Sequence, residues 1–510
     1  MKRTQLVSPG SQNRMLQAAN EAWNRKKFQE AIELLERASR LDPANVDILL
    51  DLGHYYGLRY DYAAAERCFE KAARMAPNKA VILAAAGMHC ADFGNYALSE
   101  RFDLRAVEQK DAAPKMFVQL AKLYERQRRM DEAAGMVDRA LHLNPHCPPA
   151  LLTRARLERQ AGQIEAAEQT IRSFVAKPNP DMWVQAQTWY ELGLILDRQG
   201  KFDEAMRALV PAKALLNSQA GGFLAKLKAG RQRLHVMHEN LNAEILQRWF
   251  DSIPSLPPPR RFALLGGHAR SGTTLLEQVL DSHPDITSVE ETEIFQDDAY
   301  MPIANRVPDE TPILSILEEA PTEALQYSRA NYFRSAELSL GQPLGGRLLI
   351  DKNPSLTFSV PVLLRIFPEI KLLIALRDPR DVVLSCFMQA NNSAYLTIGR
   401  TVDDYVAMMG LWQTLMPMLE GHFLQVRYED MVEDLESVAR KSLSFLDVPW
   451  DAKVLGFDEH ARQKVVRSPT YADVTKPVYK RAVGRWRNYQ KHLEPYLSKL
   501  EPFVKALGYE

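Results

Sequence analysis

The residues best suited to chemistry are gathered in 262–294, which reads FALLGGHARSGTTLLEQVLDSHPDITSVEETEI. Its centre is a short loop, Gly267-His268-Ala269-Arg270-Ser271-Gly272, that runs into Thr273-Thr274. Glycines let a backbone close around an anion, and a following helix offers free N–H groups and the positive end of its dipole. Gly267 and Gly272 have the spacing of a nucleoside-triphosphate loop, but Thr273 stands where that loop needs its lysine. The pattern therefore argues against ATP or GTP, and Arg270 supplies one cation for a smaller anion. Downstream come adjacent carboxylates at Glu290-Glu291, a lysine in the turn Asp351-Lys352-Asn353-Pro354, and Arg377 and Ser385 eight positions apart. A carboxylate beside a bound anionic group can take the proton of an attacking hydroxyl.

These residues need a scaffold that brings sequence-distant positions to one edge. Residues 262–265 form a short apolar run that predicts a buried strand, and Leu275, Leu276, Val279 and Leu280 have helical spacing behind the loop. A second strand is expected just before Glu290, a third ending at Lys352, a fourth in KLLIAL at 371–376 and a fifth at 423–427. Asp378 can cap, and Pro379 start, the helix that carries Ser385. Strands alternating with helices predict an α/β domain with a central parallel sheet, whose ligands bind at the carboxyl ends of its strands.

With 510 residues the chain is too long for one ordinary domain. Lys plus Arg equals Asp plus Glu at 64 each, so no global charge points to nucleic acid, and local basic clusters must carry any anion binding. The cysteines Cys68, Cys90, Cys147 and Cys386 are scattered without metal spacing and read as free thiols of a reducing compartment. No apolar run reaches the length of a membrane span and no signal-peptide core is evident, so a soluble cytoplasmic protein is expected.

The N-terminal half repeats itself. Ala31, Ala65, Ser99, Ala133 and Ala167 are 34 apart, and Ala38, Ala72, Ala106, Ala140 and Phe174 follow seven later. This is the tetratricopeptide period, with small residues where paired helices cross. Gly53, Tyr56, Ala65, Phe69, Ala72 and Pro77 form the clearest copy, whereas Ser99 and Asp103 degrade the third. Leu192, Gly193, Ala205 and Ala212 belong to a later copy. The expectation is a right-handed solenoid of six helix pairs over 12–216, whose groove takes a peptide, a protein partner or the acceptor. A helical segment over 223–250 and the run Pro257-Pro258-Pro259 make 217–259 a linker, with the catalytic domain at 260–510.

The R-S-G-T-T loop after a strand resembles the 5′-phosphosulfate loop of sulfotransferases that use PAPS, 3′-phosphoadenosine 5′-phosphosulfate. With His283-Pro284 and Glu290-Glu291-Thr292, the stretch is similar to the tyrosylprotein sulfotransferases and their bacterial repeat-linked relatives. The resemblance spans about 260–490 through separate motifs. It implies that 267–274 cradle the phosphosulfate, with Arg270 helping catalysis, and that Glu291 is the general base. It also implies that Lys352 sits near the bridging oxygen of the departing phosphate and that Arg377 and Ser385 hold the 3′-phosphate. Tyr428, Ser468, Lys476 and Arg485 fall at further cofactor positions. No metal is expected. Glu293 and Asp297 stand where the animal enzymes carry arginines that receive acidic peptides. The expected activity is sulfonation of a hydroxyl, foremost tyrosine in a peptide or protein. The rivals are a glycan or small-molecule acceptor, a repeat scaffold with an inactive nucleotide domain, and a nucleotide kinase, which Thr273 disfavours. His268 is the next base to test should Glu291 fail.

Overall fold

In the computed structural model, which describes residues 9–175, 181–256, 260–390, 393–463 and 480–509, regular punctuation sets up the N-terminal half. Asn45, Asp61, Asn78 and Asn95 each accept a hydrogen bond from the N–H three residues on, and a helix begins after each. Helices pair as Pro9–Asn24 with Phe28–Leu41, Val46–Leu58 with Tyr62–Met75, Lys79–Asp92 with Tyr96–Val107, Pro114–Arg126 with Met130–Leu143, and Pro148–Gln160 with Ile164–Val175. Beyond pairing, Val46–Leu58 also packs on Lys79–Asp92, and Pro114–Arg126 on Pro148–Gln160, so the first helices of successive repeats stack.

The periodic alanines are the crossing points: Ala31, Ala38, Ala65, Ala72, Ala106, Ala133, Ala140 and Ala167 are fully buried. In the clearest repeat a Cβ on Gly53 would stand 2.5 Å from the Phe69 ring, so the aromatic fills the space the glycine leaves. The degraded third repeat keeps this geometry with polar atoms. Ser99 Oγ donates to Gly87 O at 2.8 Å, and Gln119 Nε2 donates to Asp103 Oδ1 at 2.7 Å. Asp103 occupies the space over Gly87, where a Cβ would lie 2.0 Å from its Oδ1.

The chain divides into two compact units, Met1–Phe174 and Val175–Glu510. A sixth helix pair, Met182–Arg198 and Phe202–Asn217, lies in the second unit. There Tyr190 OH donates to Met388 O at 2.7 Å, and the buried Lys213 ammonium binds Gln389 O and lies 5.6 Å from the Phe387 ring. Both donors meet carbonyls just past the helix Pro379–Phe387, where free C=O groups favour a cation. The helical stretch expected over 223–250 is broken into Gly221–Asn240 and Ala243–Asp251, because Asn242 turns extended and caps the second helix.

Among the described residues, five strands form one sheet: β1 (Phe262–Gly267), β2 (Ile286–Glu290), β3 (Leu348–Lys352), β4 (Lys371–Leu376) and β5 (Phe423–Arg427), in the order β2-β3-β1-β4-β5. Every pairing is parallel. β1 to β4 are almost wholly buried, the expectation for parallel strands covered on both faces. The register opposes Lys352 to Leu265 and to Glu290, Gly267 to Ala375, and Leu376 to Arg427. All five carboxyl ends therefore open on one edge. Among the described residues, no helix is long and apolar enough to cross a membrane.

Burial is the largest influence on the Asp103 carboxyl and pushes it up to about 7, against the Gln119 and Ser99 hydrogen bonds. With its folded value above its unfolded one, the native state holds the extra proton, so stability falls as pH rises through that interval and is level above it. Relative to Asp103→Asn, the wild type is expected to lose melting temperature between about pH 4 and about pH 7 and to stay level above it. Parallel melting curves across that range would refute this.

Candidate active site

β1 ends on Gly267, whose φ is 109° and whose added Cβ would lie 2.2 Å from Ala375 O. Only glycine lets β1 pass so close to β4 at this point. Thr357 fastens the same residue: its hydroxyl accepts from Gly267 N–H at 2.8 Å and lies 3.0 Å from Gly267 O. Ser271 N–H then donates to His268 O at 3.2 Å, which turns the loop. Gly272, with φ 93°, precedes the helix Thr273–Asp281, and a Cβ there would strike Tyr428 at 2.7 Å. Thr273 and Thr274 are buried in the first turn of that helix. Arg270 is left-handed without being glycine, at φ 71°, and its Nε donates to Ser385 Oγ at 3.0 Å.

Across β3, Lys352 is fully buried. Its Nζ lies 2.7 Å from Glu291 Oε1, 3.1 Å from Glu290 Oε1 and 3.7 Å from Glu277 Oε2. Burial opposes the ammonium, but these carboxylates together hold it above the ordinary lysine range. Glu277 and Glu290 are buried, whereas the Glu291 side chain is 41 % exposed. Glu291 is also left-handed, at φ 48°, and its N–H donates to Lys352 O at 2.8 Å. Strain of this kind persists only where neighbours over-determine it, and it clusters at working sites. Asn353 secures the turn, donating to Thr292 O at 3.0 Å and capping the short helix that begins at Pro354.

Past β4, the Arg377 guanidinium donates to Arg270 O at 3.2 Å and to Ala482 O, and lies 4.8 Å from the Tyr428 ring. Among the described residues, its buried Nε has no hydrogen-bond partner. Asp378 caps the helix Pro379–Phe387, as the sequence predicts. Asp381 Oδ1 and Oδ2 accept from Trp486 N–H at 2.8 Å and Gly484 N–H at 2.7 Å, which seats 482–486 beside Arg377. Arg485 itself is held by Asp197, at 2.6 Å.

The structure thus brings Gly267, Arg270, Gly272, Glu291, Lys352, Arg377, Ser385 and Tyr428 to the carboxyl edge of the sheet. Arg270, Arg377 and Ser385, read as parts of separate anion sites, are one connected network here. Tyr428 packs on Gly272 and beneath Arg377. His268 is completely buried, with Nε2 toward Asp404 and Nδ1 toward Ala269 O. Ser468 and Lys476 lie outside the described residues. Sequence reasoning missed Glu277, Asp197, Thr357 and Asp381. Glu277 carried a signal, a carboxylate among the apolar residues of the loop helix. The others are long-range partners with no local mark.

Residues 263–452 match the sulfotransferase family, and tetratricopeptide-repeat patterns match 16–56, 46–79, 118–182 and 186–210. The chain joins tetratricopeptide repeats to a sulfotransferase domain with a parallel five-stranded sheet. It is 24 % identical over 455 residues to an uncharacterized protein of Aquifex aeolicus, covering 79 % of this chain and 57 % of that one. Protein-tyrosine sulfotransferase A of Caenorhabditis elegans is 27 % identical over 262 residues, 49 % of this chain and 67 % of its own. Protein-tyrosine sulfotransferase of Drosophila melanogaster is 28 % identical over 264 residues, 48 % of this chain and 51 % of its own. The chain therefore spans between half and two thirds of these relatives' lengths. Among solved structures, the sulfotransferase domain of the Synechococcus PCC 7002 olefin synthase is 24 % identical, covers 46 % of this chain and 88 % of its own, and has a TM-score of 0.35.

Lys352→Met is expected to lower stability as well as activity, because it leaves buried carboxylates without their counter-ion, a loss of about 3–5 kcal/mol. A calorimetric melt of the full chain checks this, and an unchanged melting temperature would refute it.

Proposed function

We propose that this protein transfers the sulfuryl group of PAPS to an acceptor hydroxyl, foremost tyrosine in a peptide or protein. The observation that carries the reading is the contact of Lys352 with Glu291, 2.7 Å apart at the edge that also holds the glycine loop. The residues fit the co-substrate. Gly267 and Gly272 let the loop pack tightly on Ala375 and Tyr428, the helix Thr273–Asp281 begins there, and Arg377 Nε is buried and, among the described residues, without a hydrogen-bond partner. PAPS supplies the activated sulfuryl group with a phosphate that leaves.

Each residue then has a task. The N–H groups at the start of the helix and the Arg270 cation hold the anion in the loop. Arg377 and Ser385 hold the second phosphate, Arg377 through its planar donor fork. Tyr428 supports that guanidinium from below. Glu291, the exposed member of the carboxylate cluster, takes the acceptor proton as the new oxygen–sulfur bond forms. Lys352 lies next to it and offsets the charge that develops on the departing phosphate oxygen. Glu277 and Glu290 keep the ammonium in place from beneath.

The repeats are proposed to recruit a protein acceptor or partner. Glu293 and Asp297, just beyond the base, favour an acceptor that is not acidic, which keeps a glycan or small-molecule hydroxyl as the second reading.

Glu291→Gln keeps the size but cannot accept the proton. It is expected to lose turnover by about 10²–10⁴-fold at near-normal PAP affinity, with Glu290→Gln much milder. Turnover assays with labelled PAPS and a phenol or a cell extract decide this, and the reverse ranking would move the base by one residue. PAP should raise the melting temperature far more than 5′-AMP or ATP, and Arg377→Ala should erase that preference through loss of a charged hydrogen bond of about 1.5–3 kcal/mol. Equal shifts with AMP in the wild type would overturn the second-phosphate assignment.

A further inference from the structure

His268 has no part in the transfer just described, yet it is completely buried at the base of the loop. Its Nε2 lies 3.2 Å from Asp404 Oδ2 and its Nδ1 2.9 Å from Ala269 O. A carboxylate and a peptide carbonyl can only accept. Asp404 is also ion-paired with Arg231. A neutral imidazole would set a lone pair against one of these oxygens. Two proton-bearing nitrogens satisfy both.

Among the described residues, the groups facing the ring come from several elements. They are Asp404 and Tyr405 from the helix Ile398–Leu415, Cys386 from Pro379–Phe387, Tyr395 from the turn Ser393–Tyr395, and, through Asp404, Arg231 from Gly221–Asn240. Cys386 Sγ lies 3.9 Å from Nδ1 and 3.5 Å from Ala269 O, and the Tyr405 ring centroid is 5.1 Å away. Burial opposes the charge, but the hydrogen bonds to Asp404 and Cys386 hold the ring's pKa up to about 10.

The consequence falls on the loop. C=O and N–H point opposite ways across a planar peptide. With Ala269 C=O drawn inward by His268 and Cys386, Arg270 N–H is turned to the open side, in the strained left-handed conformation noted above. We propose that His268 is a positioning residue: an imidazolium, held between Asp404 and Ala269 O, that aims Arg270 N–H at the bound anion and adds a buried positive charge beneath it. This rests on reading the loop as the anion site.

The test has an arm that needs no nucleotide. In the full chain with ¹⁵N-labelled histidine, the His268 signals are assigned by their loss in His268→Gln. Both ring nitrogens are expected to remain protonated from about pH 6.5 to about pH 8.5, beyond the ordinary histidine range. A single protonated nitrogen at about pH 7.5 would overturn the proposal, whatever the variants do. The second arm measures PAP binding by calorimetry. Asp404→Asn, which removes the charge but keeps the shape, should weaken PAP relative to wild type by roughly tenfold more at about pH 8.5 than at about pH 6.5. A folded Asp404→Asn that matches the wild type at both pH values would also overturn it. If the wild type binds no PAP, the functional reading fails, and the nitrogen signals alone decide the charge on His268.

Discussion

The buried ammonium of Lys352 is the interaction on which the carboxyl edge of the sheet depends. It sits at the end of β3, between the carboxylates that end β2 and the one on the loop helix, and its charge is incompatible with burial unless they surround it. Three separate pieces of chain are thereby held at one point. The same contact fixes Glu291 in a backbone conformation that few residues tolerate, and leaves its carboxylate the outward-facing member of the cluster. Burial of the ammonium and exposure of one carboxylate are two results of one arrangement.

On the other side of β1 the logic changes from charge to close approach. Gly267 lets β1 run against β4, and Gly272 lets Tyr428 and Met431 close over the start of the helix. Arg377 then ties the loop carbonyl at Arg270 to the 482–486 turn, while Asp381 holds that turn by its amides. The loop is positioned by contacts reaching it from several strands' ends, which is why residues far apart in sequence converge on it.

Much of this was legible because it is local. A 34-residue spacing of small residues marks helix crossings, and Ala65 and Ala133 are buried where the period puts them. The short apolar runs before Gly267, Lys352 and Arg377 became the expected strands, since parallel strands buried on both faces leave continuous apolar sequence. The identity of partners was not legible. Nothing near Asp197 says that it meets Arg485, and nothing near Asp404 says that it meets His268, because such pairs are set by tertiary packing. Asp103 shows the converse: the sequence reads as a decayed repeat, yet buried hydrogen bonds to Ser99 and Gln119 take over the task of the missing aromatic.

The sixth helix pair has the pattern of the repeats but its side-chain bonds run to the C-terminal unit. Asp197 grips Arg485 and Tyr489, Asp203 meets His492, and Lys213 and Tyr190 close the end of the helix that carries Ser385. Such a repeat is no longer interchangeable. The copies upstream of residue 175 take no part in these bonds, whereas removing the last copy would break every one of them.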